Sequence, residues 1–567
     1  MPGQQLQEVT LNVISHVGDE QTMQLAAAFL LRQLFDVISD PAVELNLPYI
    51  SQGIQDESNW HKRDAALTIL SQILESKQFK LLIPSLEQIA NIVMRLSLQD
   101  PIDAVKESAS YAFARLLTIN EQLVKKRLAE VIYVSTTLCQ SSSPYIARFG
   151  CQACKVICEY AEENKSKATN FLTPHFDALF SALLQCMVRS DSEQGRLHIN
   201  ALEALETLIK FCADGLQTPL CVKLDNLLDN FPQFTPDQQT QGVNQPNIVE
   251  KLQNLQSAFL TIITAIVGRI GVRVNERARK IFFQLYQLTT ATNITVHEDV
   301  LMCLQQMASQ LGPLFPTHSE PFRQYVKDAL SFFDSPEIIS SALGVVSDWA
   351  RATEKKFTPL LDNFVIAVVN LLKDPACPLQ CQPVALEALA DMALATSGEF
   401  VKYIGDIMQF SIIAAQVQVT DKNPDGTDRR ESAEYVAKMH EAVLLLWTMI
   451  VEGLRDNQNT TQIQVIVPHV ETMMAFVTML IGRATADLPI PQQIIDAQQQ
   501  YQTYNAQMPQ NNPYQQMGQQ IKIPLQLPQI TINRNLPIGQ GYDIDTHVFE
   551  QGRMPISLAC GIIDLLI

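Results

Sequence analysis

Residues 358–408 read TPLLDNFVIAVVNLLKDPACPLQCQPVALEALADMALATSGEFVKYIGDIM. Leu361, Val365, Val368, Val369 and Leu372 recur every three or four residues, the period of one helix face. Ala385, Ala388, Leu389 and Met392 repeat the pattern after a turn at Lys373-Asp374-Pro375 and a short Pro- and Cys-containing segment. Thr396-Ser397-Gly398 closes the pair, and Gly398 is expected at the left-handed position that ends a helix. A third helix is expected from Glu399. Neither amphipathic helix can bury its apolar face alone, so the pair requires neighbours of its own kind.

The rest of the chain supplies them. The pair is preceded by LPYISQGIQD (47–56) and HKRDAALTILSQILE (61–75), then PSLEQIANIVMRLSLQDP (84–101) and AVKESASYAFARLLT (104–118). VIYVSTTLCQSSSP (131–144) with YIARFGCQACKVICEYAE (145–162) follows, then PHFDALFSALLQCMVRSDSEQ (174–194) with GRLHINALEALETLIKFCA (195–213). A basic residue opens each second helix: Arg63, Lys106, Arg148 and Arg196, spaced 43, 42 and 48 residues apart. Two helices at that period are the signature of HEAT or armadillo repeats, and the proline-aspartate turn with the basic residue favours HEAT. The fold class expected is therefore all-α, a HEAT-repeat α-solenoid. A helical pattern with Leu6, Val9, Val13 and Val17 opens the chain. Further pairs are expected at 278–311, 321–352 and 399–454, and a pair at 218–270 is stretched by a polar loop (231–247).

At 567 residues the chain exceeds one ordinary core, which fits a repeat array. A net charge of −18 excludes general nucleic-acid binding, which needs clustered Lys and Arg, and favours a cationic partner. Eleven cysteines within helical patterns are expected to be reduced thiols. The N-terminal stretch lacks the basic and apolar regions of a signal peptide. No uninterrupted apolar run reaches spanning length, LTIITAIVG (260–268) being among the longest, so membrane insertion is not expected.

Residues 491–540 contain 15 Gln, 6 Pro and three charged residues, a composition that cannot form a packed core and is expected to be disordered. The expected organisation is a solenoid of about ten repeats over 1–483, a Gln/Pro-rich insertion over 484–552, and a final helix of an incomplete repeat at 553–567. That last helix has no polar cap, so the array is expected to continue beyond it.

Particular repeats carry more than the fold. HEDVLMCLQQMASQLGPLF (297–315), EALADMALATSGEFVKYIGDIM (387–408) and NWHKRDAALTILSQILE (59–75) resemble repeats of the importin β family of nuclear import receptors. The similarity runs in register from about residue 25 to 483 and returns at 553–567. The resemblance implies a right-handed superhelix with second helices lining a concave face. That face would wrap a basic helical segment of an importin α-type adaptor or a cargo. Ran-GTP would displace the cargo, and Phe-Gly nucleoporins would dock between helices on the convex side. It also implies a monomer found in cytoplasm, nucleus and nuclear pore. The chain begins where the family is already several repeats in, so the main Ran-binding arch is expected to be missing. Where the family packs the cargo helix with tryptophans, this sequence has Tyr111 and Gln152. A tyrosine can stack on a cationic stem, whereas glutamine cannot replace that contact.

The residues expected to meet a partner are Tyr111, Gln152, Asp64, Glu107, Glu203, Glu387 and Asp391. Glu387 and Asp391 are an uncompensated i,i+4 like-charge pair, while Glu206, close to Glu203, has Lys210 at i+4. Repeated along successive units, such carboxylates would make an anionic strip.

Other motifs are weaker. Cys151, Cys154 and Cys158 share one helix face without a second CxxC or a histidine, so core packing is expected and no metal. The loop Asp421-Lys422-Asn423-Pro424-Asp425-Gly426 starts like an EF-hand, but its twelfth position is Ser432, with Glu431 one residue early. No calcium site is expected there. There is no Walker loop, dinucleotide turn, GxSxG or HExxH, and histidines such as His198 and His440 have no paired nucleophile. Neither an enzyme nor a cofactor is expected. The rivals to a transport receptor are a static HEAT scaffold subunit and a truncated importin β-like product without transport activity of its own.

Overall fold

The structure, a computed structural model, describes residues 23–162, 166–233, 246–418, 429–456 and 464–485. The opening pattern at Leu6–Val17, the EF-hand-like loop, the 491–540 insertion and the 553–567 segment lie outside the described residues. Among the described residues there are helices and turns and no strand. The chain divides into two compact units, 1–329 and 330–567.

In the first unit, α1 (Met23–Ile38) is followed by the pairs α2 (Asp40–Gln55) with α3 (Trp60–Glu75), α4 (Leu86–Gln99) with α5 (Asp103–Ile119), and α6 (Leu128–Cys139) with α7 (Pro144–Glu159). Then come α8 (Phe176–Val188) with α9 (Leu197–Phe211), α10 (Gln217–Asp229) with α11 (Pro246–Ile270), and α12 (Ala278–Leu288) with α13 (Ile294–Leu311). In the second unit, α14 (Pro336–Thr353) precedes α15 (Thr358–Lys373) with α16 (Cys381–Thr396), α17 (Val401–Ala415) with α18 (Arg429–Asp456), and α19 (Val470–Thr485). Each second helix packs on its own first helix and on the second helix before it, so the second helices form a continuous row inside each unit. This is the HEAT-repeat solenoid arrangement.

Local chemistry explains the boundaries. Asn59 caps α3 by accepting from the backbone N–H of His61 and Lys62, which satisfies donors that a helix start leaves open. The middle of α3, from Arg63 to Leu74, is buried all round, because first and second neighbours enclose it. In the second unit Trp349 of α14 meets Phe357 and Phe364, with ring centroids 6.5 and 5.8 Å away. Each such aromatic buries about 150–250 Å², a gross gain of about 4–6 kcal/mol before entropy is counted.

Two details differ from expectation. The corner after α16 is turned by Ser397 (φ 50°), not by Gly398. Glu354 after α14 (φ 48°) and Gly312 after α13 (φ 52°) take the same conformation, so the corner recurs and only one of the three uses glycine. The stretches 78–99 and 249–288 are long enough, and over part of their length apolar enough, to resemble membrane spans, which the longest uninterrupted run does not reveal. Both are interrupted by 3-10 turns and pack within the repeats, as core helices of a solenoid do.

Candidate functional site on the second helices

Four second helices of the first unit line one cavity of about 670 Å³. Gln72 comes from α3, Glu107 and Tyr111 from α5, Phe149 and Gln152 from α7, and Asn200 and Glu203 from α9. Residues one helical turn apart on successive helices therefore converge as the repeat period requires. Four residues expected from sequence, Tyr111, Gln152, Glu107 and Glu203, line this cavity.

Their partners were not legible in the sequence. The Tyr111 hydroxyl donates to Glu75 Oε1 at 2.5 Å, and its ring lies 5.1 Å from that of Phe149. Burial and then the Glu75 charge push the phenol well above its ordinary range. Arg115 sits 5.5 Å over the Tyr111 ring and donates to Gln152 Oε1 at 3.0 Å, so the cation that tyrosine can stack on is already internal. Gln152 passes the chain on to Asn200 Oδ1 at 2.9 Å. Glu107 accepts from Arg148 at 3.2 Å and Glu203 from Lys155 at 2.9 Å. Asp64 does not line the cavity: it is 2% exposed and accepts from Ser108 Oγ at 2.5 Å, joining α3 to α5.

The strip continues along the row. A second cavity of about 320 Å³ lies between α9, α11 and α13, edged by Glu206, Lys210, Arg269 and Asp299. Lys210 sits 5.1 Å over the Phe211 ring instead of on Glu206. Burial, then the neighbouring Glu203 charge, pushes Glu206 up. Burial raises the Asp299 carboxyl to about 6, although Ser257 donates to it. In the second unit, Glu387 and Asp391 of α16 are also pushed up by burial, and Glu441 of α18 adds to the effect on Glu387. Their expected lack of compensation is corrected: Arg351 of α14 lies 3.8 Å from Asp391 and also pairs with Asp348.

A pattern emerges from the carboxylates that titrate abnormally. Those held up, Glu206, Asp299, Glu387 and Asp391, all lie on second helices. Those held down, Asp56, Glu130, Asp191 and Asp362, all lie on first helices or on the turns between the two helices of a pair, beside a lysine or arginine. A half-buried carboxylate kept from its charged form is one that an incoming cation stabilises most. Burial holds the second-helix carboxyls up, even where a cation such as Arg351 lies near Asp391.

The opposite row offers a different surface. Phe283 and Tyr286 on the first helix α12 are 58% and 54% exposed. Phe283 lines a cavity of about 340 Å³ with Phe231 and a group of glutamines, among them Gln284, whose Oε1 is buried without a hydrogen-bond partner among the described residues. An aromatic slot edged by amide groups suits a short apolar side chain carried on an exposed backbone. The sequence showed no periodicity for it.

Residues 134–490, more than half of the chain, match the family model for Importin subunit beta-1-like, TPR repeats. Importin subunit beta-1 of Schizosaccharomyces pombe is 25% identical over 469 residues, covering 82% of this chain and 52% of the relative. Among solved structures, a Kap95:Nup1 complex is similar with a TM-score of 0.67 at 21% identity, over 84% of this chain and 54% of that one. A structure of Kap95p, whose binding induces the switch loops of RanGDP to adopt the GTP-bound conformation, is similar with a TM-score of 0.64 at 20% identity, over 84% and 54%. The chain spans about half the length of the relatives it matches.

Proposed function

Because this chain belongs to the importin subunit beta-1-like family, we propose that it acts in nuclear transport as a receptor, taking a basic helical segment of an importin α-type adaptor or cargo against its second helices. The observation that supports this most is the sorting of carboxylates. Acids held up by burial gather on the second helices, while acids held down beside a lysine or arginine occupy the first helices and turns. Along the second helices of either unit a Lys/Arg-rich helix would find several moderate Coulomb attractions, which chiefly accelerate encounter. In this reading Tyr111 and Gln152 serve as a polar platform, since Glu75 and Arg115 already hold them, and packing against Phe149 contributes the dwell time.

The exposed Phe283 slot supports contact with Phe-Gly nucleoporins, in keeping with the Nup1 complex of Kap95. The Kap95p structure with RanGDP supports release by Ran-GTP. The receptor would work as a monomer moving between cytoplasm and nucleus through the pore, with no chemistry of its own.

The test uses the full chain and a fluorescent Arg/Lys-rich helical peptide, with a neutral peptide of equal length as control. Addition of Ran loaded with a non-hydrolysable GTP analogue should release the basic peptide, and Ran-GDP should release much less. Binding that ignores both nucleotide states would indicate a static scaffold. Equal binding of the neutral peptide would contradict the receptor reading.

A further inference from the structure

Three buried sulfurs from three helices converge at one point of the first unit. Helix α6 ends on Cys139, the chain turns through 140–143, and α7 brings Cys151 back so that the two Sγ atoms lie 3.9 Å apart. This return is close because residue 150 is glycine: a Cβ there would lie 2.6 Å from Cys139 N and 2.9 Å from Leu138 Cβ. Cys186, on the first helix of the next pair, closes the third side and donates to the Cys139 carbonyl at 3.1 Å. The Sγ atoms of Cys139, Cys151 and Cys186 all lie within 4.8 Å of one another. Cys154, one turn beyond Cys151, also interacts with the Cys139 thiol. None of the four is more than 3% exposed. Cys151, Cys154 and Cys158 are buried along one helix as expected, and Cys139 and Cys186 join Cys151 from neighbouring helices.

Core packing accounts for each cysteine singly; what it does not require is that three sulfurs from three helices meet within 4.8 Å. We propose that Cys139, Cys151 and Cys186 are thiolate ligands of a thiophilic d10 cation, zinc, with Cys154, which meets Cys139 but lies outside the three-sulfur group, turning in as the fourth. Tetrahedral zinc with a Zn–S bond of about 2.3 Å sets neighbouring sulfurs about 3.8 Å apart. The Cys139–Cys151 pair already has that spacing, and the widest separation in the group needs only a side-chain adjustment. Four Zn–S bonds form as four thiol protons leave to solvent, and no electron is transferred. The resulting cluster is anionic. Arg189, whose charge already meets Asp191, holds the turn, donating to Ser141 O at 2.6 Å and to Ser142 O at 2.8 Å. Gln140 and Ser142 of that turn are exposed, so an ion reaches the sulfurs by opening a surface loop and leaving the core intact. Bound there, it would pin the α6–α7 pair to the α8–α9 pair.

The experiment takes the full chain, equilibrates it with zinc, passes it through a weak chelator and measures retained metal. Cobalt substitution then tests for the visible absorption of tetrahedral thiolate ligation. About one zinc per chain is expected, with the cobalt thiolate band. Cys139→Ser and Cys186→Ser should lower affinity by at least the roughly 10- to 100-fold that loss of an outer-sphere partner costs. Cys303→Ser, in a distant repeat, should retain the metal, and circular dichroism reports whether each variant is folded. A folded wild-type chain without retained zinc and without the cobalt band would overturn the proposal. So would folded cluster variants that hold zinc as tightly as the wild type.

Discussion

Arg63 and Asp100 form an enclosed, two-pronged ion pair across the repeat boundary: Nε donates to Oδ2 at 2.9 Å and Nη2 to Oδ1 at 3.1 Å. Arg63 opens the second helix of one pair, and Asp100 sits in the turn of the next. Their side chains are 8% and 3% exposed, and Arg63 also donates to the carbonyls of Asp56 and Glu57. Removing one partner leaves the other charge buried, so Arg63→Ala or Asp100→Ala should cost about 3–5 kcal/mol. Replacing both with apolar residues of similar size should recover much of that loss. Chemical denaturation of the single and double variants checks it, and additive losses would contradict a coupled pair.

Ser397 and Glu354 should both gain from glycine. Each holds a positive φ, near 50°, with ψ of −115° and −129°, at a corner where Gly312 adopts the same angles in the preceding repeat. A side chain in that region stores about 1–3 kcal/mol, and glycine relieves it at the cost of some chain entropy. Ser397→Gly and Glu354→Gly should therefore raise the thermal midpoint. A lower midpoint in either would show that the side chain supports the corner.

Asp299 gives a pH signature. Its carboxyl is raised from 3.8 to about 6, first by burial, so the folded chain prefers the neutral acid. The associated stability is fully present below about pH 4 and is lost as the pH rises through about 6. Asp299→Asn should thus be more stable than wild type at pH 7, by up to about 3 kcal/mol, with the gap closing near pH 4. Denaturant midpoints at the two pH values measure it. A gap that does not change with pH would remove burial as the cause.

The fold was largely legible because one property repeats. The three-to-four periodicity places α15 and α16 within a few residues of their ends, and Asn59 marks the start of α3. The cavity residues Glu107, Tyr111, Gln152 and Glu203 were legible for the same reason, since i,i+4 steps on helices one period apart share a face. Facing within a fully enclosed helix was not: Asp64 lies on α3, where an entire run of residues is buried and the pattern has no exposed side to read. Nor were partners one repeat away. Arg115, Arg148 and Arg351 neutralise carboxylates on neighbouring second helices, and only packing brings them there. The same holds for Cys186, which reaches Cys139 across 47 residues.

The account's central claim is that the half-buried carboxylates on the second helices receive the basic partner. Two variants with the same change in net charge separate this from bulk acidity. One carries Glu206→Gln, Asp299→Asn, Glu387→Gln and Asp391→Asn; the other carries Asp56→Asn, Glu130→Gln, Asp191→Asn and Asp362→Asn. The measurement is the association rate of an Arg/Lys-rich helix between low and physiological salt, where the screening length falls to about 8 Å. The second-helix variant should associate at least about tenfold more slowly at low salt and lose most of its salt dependence, while the other stays close to wild type. Equal slowing of both variants, or wild-type rates in the second-helix variant, would contradict the account.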